Sequence, residues 1–358
     1  MPIMNIQLSL NWQITQSEQH NIDPVLFPLL TAIHDLGSLK SATDEVRVSY
    51  RFAWGLLAKW QEFLGQPLVI LERGRGAYLS PTGEKLLNAN VQLLAHFTPE
   101  LENFATQFKQ DFESLLDKAK SPSLNIFASH GLAVSTLRDL INQQSNFKLD
   151  LHFHGSLESL RALNSGHCDI AGFHIPIGPL AKNIRSQYLK LIHPQKHKLI
   201  YVVKRNQGLM FRSENAADIS SITSLINTDL RFINRQVDSG TRLLFDQLLE
   251  TQNIQATEIN GYDHEEFTHM AVAAMIASGA ADVGFGIAPM ASKFNLEFVP
   301  LVWEHYCLAI PNNLSEDEST KKIKQLLRDT VFRDKLSGFP GYDASHSGGS
   351  VTFKEIFS

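Results

Sequence analysis

Residues 6–14, IQLSLNWQI, alternate apolar and polar positions, so Ile6, Leu8, Leu10, Trp12 and Ile14 share one face of a predicted strand. Asp23-Pro24 then opens a helix, with Asp as cap and Pro at the first position, and the run VLFPLLTAIHDL carries it to Gly37. Ser38 caps a short helix bearing Leu39, Ala42 and Val46. Val48-Ser49 makes a turn and a fresh cap, and the next helix turns Ala53, Leu56, Leu57, Trp60 and Leu64 inward. Two short helices about a tight turn predict a helix-turn-helix. The segment PLVILERGRGAYLSPTGEKLL follows as strand, basic Gly-rich tip, strand and helix, the pattern of a wing.

From Pro81 to about Lys118 the apolar residues recur at helical spacing, among them Leu86, Leu87, Leu93, Leu94, Phe97, Leu101, Phe104, Phe108, Phe112 and Leu115, with a break expected near Thr98-Pro99. A helix this apolar packs either against its own domain or against a second copy in a dimer seam. KAKSPS reads as a linker, and from LNIFAS onward strands and helices alternate, which predicts α/β layers with mostly parallel sheets. An internal echo divides that part into two lobes: ESLRALNSGHCDIAGFHI (158–175) and AVAAMIASGAADVGFGI (271–287) each give a helix, a Ser-Gly turn, an Asp and a buried strand. Such a pair places a ligand between the lobes, at strand C-terminal ends.

Composition narrows the function classes. The 358 residues allow two or three domains, and 43% hydrophobic with 19% charged content describes a globular chain. Two cysteines, Cys168 and Cys307, form no disulfide framework, and the N-terminus lacks a secretory pattern, so a cytoplasmic location with no membrane partner is expected. The net charge of -5 argues against diffuse nucleic-acid affinity. Locally the balance reverses. Between Val46 and Gly76, Arg47, Arg51, Lys59, Arg73 and Arg75 outnumber Glu62 and Glu72. Ser49, Tyr50 and Arg51 begin the second helix, where a recognition helix meets the major groove, and Arg73 and Arg75 sit on the wing tip, where a phosphate or minor groove would lie.

Residues 23–87 resemble the winged helix-turn-helix of ModE, the molybdate-responsive regulator, and more loosely the LysR type; GSLKSA, VSYRFAWGLL and ERGRGAYLSPTGEKLL carry the likeness. Residues 122–343 look like the periplasmic-binding-protein-like domain fused to such regulators and to molybdopterin-biosynthesis proteins, on CDIAGFHIP, NRQVDSGTRLLFDQLL, NGYDHEEFTHMAVAAMIASGAADVGFGI and FPGYDAS. That family usually has Gly-Ser-Gly-Thr-Arg where this chain has Asp238 before Ser239, a negative charge its site must offset. Tungstate-binding proteins also carry an acidic residue before a similar Ser-Gly-Thr. ModE's own C-terminal ligand domain, a different small β-fold, is absent, so molybdate sensing does not transfer with the helix-turn-helix.

The resemblance implies a multidomain chain: an α-rich winged helix-turn-helix over 1–92, a linker and dimerisation helix over 93–121, and a two-lobed α/β periplasmic-binding-protein-like domain over 122–358. Lobe I would take about 122–204 and 301–343, and lobe II about 205–300. Four helix starts then offer free N–H groups to an anion. Ser129, His130 and the Gly155-Ser156 turn belong to one lobe; Ser239, Gly240, Thr241 and Arg242, with Thr268 and His269, belong to the other. His174 should point into the cleft from the end of DIAGF. A plain helix cap is the bland account of Ser239, since capping and anion binding use the same geometry.

His152 and His154 share a strand face but lack further ligands at metal spacing, so no metal and no cofactor are expected. Glu265 and Glu266 read as the acidic entry to a helix at Phe267 rather than as acid–base catalysts, and no enzyme is expected. The expected partners are an operator in double-stranded DNA, a small anion (molybdate, tungstate or a small carboxylate) and a second copy of the chain in a homodimer or higher homo-oligomer; the alternative is a molybdenum-cofactor assembly protein, since the same domain type is fused to biosynthetic proteins.

Overall fold

The computed structural model describes residues 6–15, 19–72, 76–115, 124–143, 149–216, 218–237 and 239–357. They fall into two compact units, Ser9–Ala95 and a larger one that is mainly His96–Ser358.

The smaller unit opens with a short hairpin, β1 (Gln13–Thr15) against β2 (Gln19–Asn21). The strand expected over residues 6–14 is thus confined to its last residues, because alternation makes a strand only where a partner edge exists. Helix α1 (Leu26–Leu36) starts two residues after Pro24: the Asp23 carboxylate accepts the Val25 N–H at 2.8 Å and makes a turn there instead of a cap. Its stripe Leu26, Leu29, Leu30 and Ile33 is fully buried. Helix α2 (Leu39–Glu45) begins at Ser38, whose Oγ accepts the Ser41 N–H, and α3 (Tyr50–Leu64) begins at Ser49, whose Oγ accepts the Phe52 N–H. Trp60, Leu57, Leu56 and Ala53 of α3 close the core over α1. The hairpin β3 (Val69–Glu72) and β4 (Gly76–Leu79) follows. Gly76 is required at its place: φ is +96°, and a Cβ would stand 2.3 Å from the Gly37 carbonyl oxygen.

Helix α4 (Pro81–Leu115) is continuous, and the expected break at Thr98-Pro99 is absent. A helix-interior proline costs about 3 kcal/mol. The helix persists because its downstream half is tied along its length to the larger unit: Glu102 to Arg138 at 2.7 Å, Asn103 to Phe153 and Thr106 to the Leu151 carbonyl.

The larger unit alternates as β5 (Leu124–Ala128), α5 (Leu132–Asn142), β6 (Leu149–Phe153), α6 (Ser156–Asn164), β7 (Ile170–Pro176) and α7 (Ala181–Tyr188). A long strand β8 (His197–Phe211) leads into β9 (Phe232–Arg235), α8 (Gly240–Thr251), β10 (Glu265–Glu266), α9 (His269–Ala277), β11 (Val283–Ile287) and α10 (Ala288–Lys293). A second long strand, β12 (Glu297–Pro311), returns to α11 (Glu318–Arg328), α12 (Thr330–Ser337), β13 (Tyr342–Asp343), β14 (Ser350–Val351) and α13 (Phe353–Phe357). The strand order is β10-β9-β11-β8-β12-β7-β5-β6. The pairs β5–β6, β5–β7, β9–β11 and β9–β10 are parallel, but β8 and β12 run antiparallel to their neighbours, so the sheet is mixed rather than mostly parallel. The two 15-residue strands each serve both lobes, which an alternating pattern of short elements does not announce.

The internal echo is geometrical as well as sequential. Gly166 and Gly279 end α6 and α9, each with φ +75°. Asp169 and Asp282 then each exchange a pair of bonds with the neighbouring strand's start: their carboxylates accept the N–H of Asn125 and Arg231 at 2.8 and 2.9 Å, and their own N–H groups reach the carbonyls of the same two residues at 2.8 Å. Each lobe is one copy of this unit with its own core, Leu160, Phe173 and Ile175 among the residues of one and Val272, Ile276 and Ile287 of the other.

Candidate functional site

Parallel strands end where the following helices begin, and here those ends converge on one cavity of about 210 Å³. Ser129 and His130 follow β5, His154 and Gly155 follow β6, and His174 lies in β7. From the other lobe come Arg235 at the end of β9, Ser239-Gly240-Thr241 at the start of α8, and Phe267-Thr268-His269 before and at the start of α9. Arg205 of β8, His96, Pro99, Glu100 and Asn103 of α4, and Phe153, Glu158 and Gln236 complete the lining. Ser239 and Thr268 are caps as well as wall: their hydroxyl oxygens accept the N–H of Arg242 at 3.1 Å and of Ala271 at 3.0 Å. Capping leaves the Ser239 hydroxyl hydrogen available to an anion, so the two accounts of this motif are compatible.

Arginines and neutral imidazoles dominate the electrostatics. Burial is the largest single influence on Arg205 and opposes its charge, but the ion pair with Glu304 and the contact with Tyr342 together outweigh it and raise its pKa. Arg235 forms no ion pair among the described residues; it donates to the Phe267 carbonyl at 2.8 Å and to Gln236 Oε1 at 3.2 Å. Burial, then Arg205, pushes it down to about 9 against the weaker opposing pull of Glu266, which still leaves it charged at neutral pH. Burial, then Arg138 and Arg235, lowers His130 to about 4. His174 is held well below its ordinary value by burial and by Arg205 and Arg235, and His269 by burial and by Arg235 and Arg205. The His174 ring stacks on Tyr306 with centroids 4.1 Å apart. His269 Nε2 lies 3.4 Å from Thr241 Oγ1, and its buried Nδ1 has no partner among the described residues. A wall of cations, hydroxyls, helix N-termini and uncharged imidazoles can hold a small anion by charge-assisted hydrogen bonds.

Of the ten residues expected from the sequence to hold a ligand, Ser129, His130, His174, Ser239, Gly240, Thr241, Thr268 and His269 line this cavity together. Two do not. Arg242 points away, with Nη1 on Glu265 at 2.9 Å, Nε on Asp246 at 3.1 Å and its guanidinium 4.1 Å from the Tyr262 ring centroid. These partners are not among the residues that line the cavity. Ser156 is 2% exposed, and its Oγ accepts the His174 N–H at 3.1 Å, so it positions the strand instead of lining the cavity. Arg205 and Arg235, the principal cations, were not foreseen. Arg235 could have been, as the residue ending the strand before the Ser-Gly-Thr turn; Arg205, inside a long strand, carries no local signal.

Glu265 and Glu266 form β10 rather than a helix entry, and Glu266 lies 3.3 Å from His96. Asp238 and the linker residues 118–123 lie outside the described residues. His152 and His154 flank Phe127, with centroids 5.1 and 4.3 Å from its ring. No group of three or more metal-ligating side chains occurs among the described residues.

In the smaller unit, α2 and α3 are joined by four residues, Val46–Ser49, with Arg47 at φ +57°. Tyr50, Phe52 and Trp54 of α3 are about half exposed, at 48%, 44% and 51%, and Arg51 is exposed beside them. Arg51 and Lys59 line one shallow depression with Ser49 and Phe52. Arg73 and Arg75 lie outside the described residues. No helix among the described residues is long and apolar enough to cross a membrane.

YvgK of Bacillus subtilis (strain 168), described as uncharacterized, is 29% identical over 196 residues, 55% of this chain and 63% of that protein. The molybdenum-pterin-binding protein MopB of Rhodobacter capsulatus is 34% identical over 87 residues, 23% of this chain and 32% of that protein. This chain therefore spans less than two thirds of either relative. Among solved structures, a peroxide-bound mutant of Corynebacterium glutamicum OxyR superposes with a TM-score of 0.43 at 13% identity, over 86% of this chain and 92% of that one. The PBP_like family, described as a PBP superfamily domain, matches residues 137–328. That stretch is more than half of the chain and holds most of the cavity wall, from His154 to His269, and on it the chain belongs to the PBP-like family.

Proposed function

We propose that this protein is a DNA-binding transcription regulator whose larger unit senses a small anion. The observation that carries the ligand half is the convergence of Arg205, Arg235 and helix starts from both lobes on one cavity. The DNA half is supported by the helix pair α2–α3 with its exposed Tyr50-Arg51 start and by the hairpin β3–β4 after it, the order of a winged helix-turn-helix. Operator recognition by a homodimer fits the exposed aromatic face of α4, on which Phe104, Phe108 and Phe112 recur every fourth residue. Molybdate or tungstate is the oxyanion reading, supported by the partial likeness to MopB. A small organic carboxylate is the second reading, favoured by a cavity of about 210 Å³, larger than a bare oxyanion fills.

A ligand that touches both lobes favours their closed arrangement, and it shifts DNA affinity only by its differential affinity for the two states, typically about 1–3 kcal/mol. The test is a duplex enriched from a random pool by the full chain. Arg51→Ala should weaken its binding by about 1–3 kcal/mol if Arg51 reads a base edge. Molybdate, tungstate and short carboxylates are then titrated for a change in duplex affinity. Failure to enrich any duplex refutes the DNA half, and unchanged binding by Arg51→Ala refutes the placing of the α3 start at the groove.

A further inference from the structure

The cavity wall carries two unmatched charges of opposite sign. Arg235 spends its hydrogen bonds on a carbonyl and an amide, both neutral, and forms no ion pair among the described residues. Glu100, exposed on α4, lines the same cavity and makes no hydrogen bond or ion pair among the described residues. The other charged groups nearby each have a hydrogen-bonding partner: Arg205 has Glu304, Glu158 lies 3.0 Å from the His154 imidazole, and Glu266 lies 3.3 Å from the His96 imidazole. A guanidinium and a carboxylate that face one cavity without reaching each other leave a gap that a two-ended ligand can bridge. Their exposure differs as well: Arg235 is half-buried, whereas Glu100 is exposed.

Size points the same way. A five-atom tetrahedral oxyanion displaces on the order of two to three waters, about 60–90 Å³. The cavity of about 210 Å³ leaves room beyond it. A further polar atom awaits a partner on the inner wall: His269, 7% exposed, has an unsatisfied buried Nδ1. Leaving such groups unmet costs free energy that a ligand with matching groups recovers.

We propose that the site, read as the anion site above, takes a small organic anion whose far end bears an ammonium or N–H donor. The anionic head lies against Arg235 and the starts of α8 and α9, and the donor reaches Glu100 on α4. Glu100 is then the residue that sets ligand specificity, through the charge of the tail. A tail ending in a second carboxylate is repelled there, and a plain alkyl tail gains nothing.

The test is calorimetry on the full chain with ω-amino carboxylates of two to six carbons, each against the monocarboxylate and the dicarboxylate of the same length. At the best-fitting length the amino acid should bind about tenfold more tightly than the monocarboxylate, and the dicarboxylate weakest. In Glu100→Gln the advantage of the amino group should shrink to about twofold or less, with the monocarboxylate unchanged and the melting temperature preserved. Arg235→Gln should weaken all of them together. A dicarboxylate that matches or beats the amino acid in the wild-type chain overturns the proposal, as does an amino-group advantage that survives Glu100→Gln. Binding of molybdate or tungstate with no binding by the organic series also overturns it and leaves the anion site standing. If neither oxyanions nor organic anions bind, or Arg235→Gln affects none of them, the anion-site reading itself fails.

Discussion

Asn103→Ala tests how α4 is held against the wall of the cavity. Strand β6 lies at the end of the sheet, so its outer backbone groups have no neighbouring strand. The Asn103 amide takes that neighbour's place: Oδ1 accepts the Phe153 N–H at 2.6 Å, and Nδ2 donates to the Phe153 carbonyl at 3.0 Å. Each such bond contributes about 0.5–1.5 kcal/mol net, so alanine should cost about 1–3 kcal/mol. For a domain of this size a kcal/mol moves the midpoint by about 2–4 °C, so the larger unit should melt about 2–12 °C lower. Thr106→Val removes one longer bond, 3.3 Å to the Leu151 carbonyl, and should cost less. Calorimetry reads the midpoint, and amide exchange at Phe153 reads the local contact, since its N–H loses its acceptor. The smaller unit's transition should not move. A shift of the larger unit below about 1 °C, with exchange at Phe153 unchanged, would refute the account of α4 as the edge's substitute partner.

Thr241→Val keeps the shape of the α8 start but removes a hydroxyl from the cavity wall. It should weaken anion binding by about 10–150-fold, the worth of a hydrogen bond to a charged group, and leave DNA binding without ligand intact; unchanged affinity by calorimetry would place the ligand elsewhere. The cavity histidines set a pH dependence. His130, lowered to about 4, stays neutral in the folded chain while the unfolded chain protonates it near its ordinary pKa of about 6.5. The unfolded state thus binds the proton first as pH falls, and stability should drop from about pH 6.5 down to about 4. His130→Gln should flatten that fall, and a melting temperature of the larger unit that stays level from pH 7 to 5 would contradict the assignment. Asp282 adds loss at lower pH: hydrogen bonds and charge from Arg231, with help from Arg212, hold its carboxyl well below the ordinary range, so its contribution is present above about pH 4 and vanishes as it protonates. Asp282→Asn should remove that acid-side slope.

The sequence alone determined what local patterns control. Ser38 and Ser49 are legible as caps in the sequence and cap their helices, because a serine before an apolar stripe meets unpaired N–H groups wherever the helix is packed. The repeat of helix, Ser-Gly turn, Asp and strand was legible because each copy folds by the same short-range bonds, down to equal φ at Gly166 and Gly279. Eight cavity residues were found the same way, since strand ends and helix starts are local and a two-lobed α/β unit brings them together. What escaped the sequence is decided by partners distant along the chain. Arg242 looked like an anion ligand until Glu265, Asp246 and Tyr262 claimed its guanidinium, while Arg235 faces the cavity because no carboxylate among the described residues pairs with it. Pro99 sits inside an unbroken helix because contacts 36 to 50 positions away hold the turns that follow it. A side chain's type fixes which bonds it can make; only the tertiary structure decides which partner is near enough to make them.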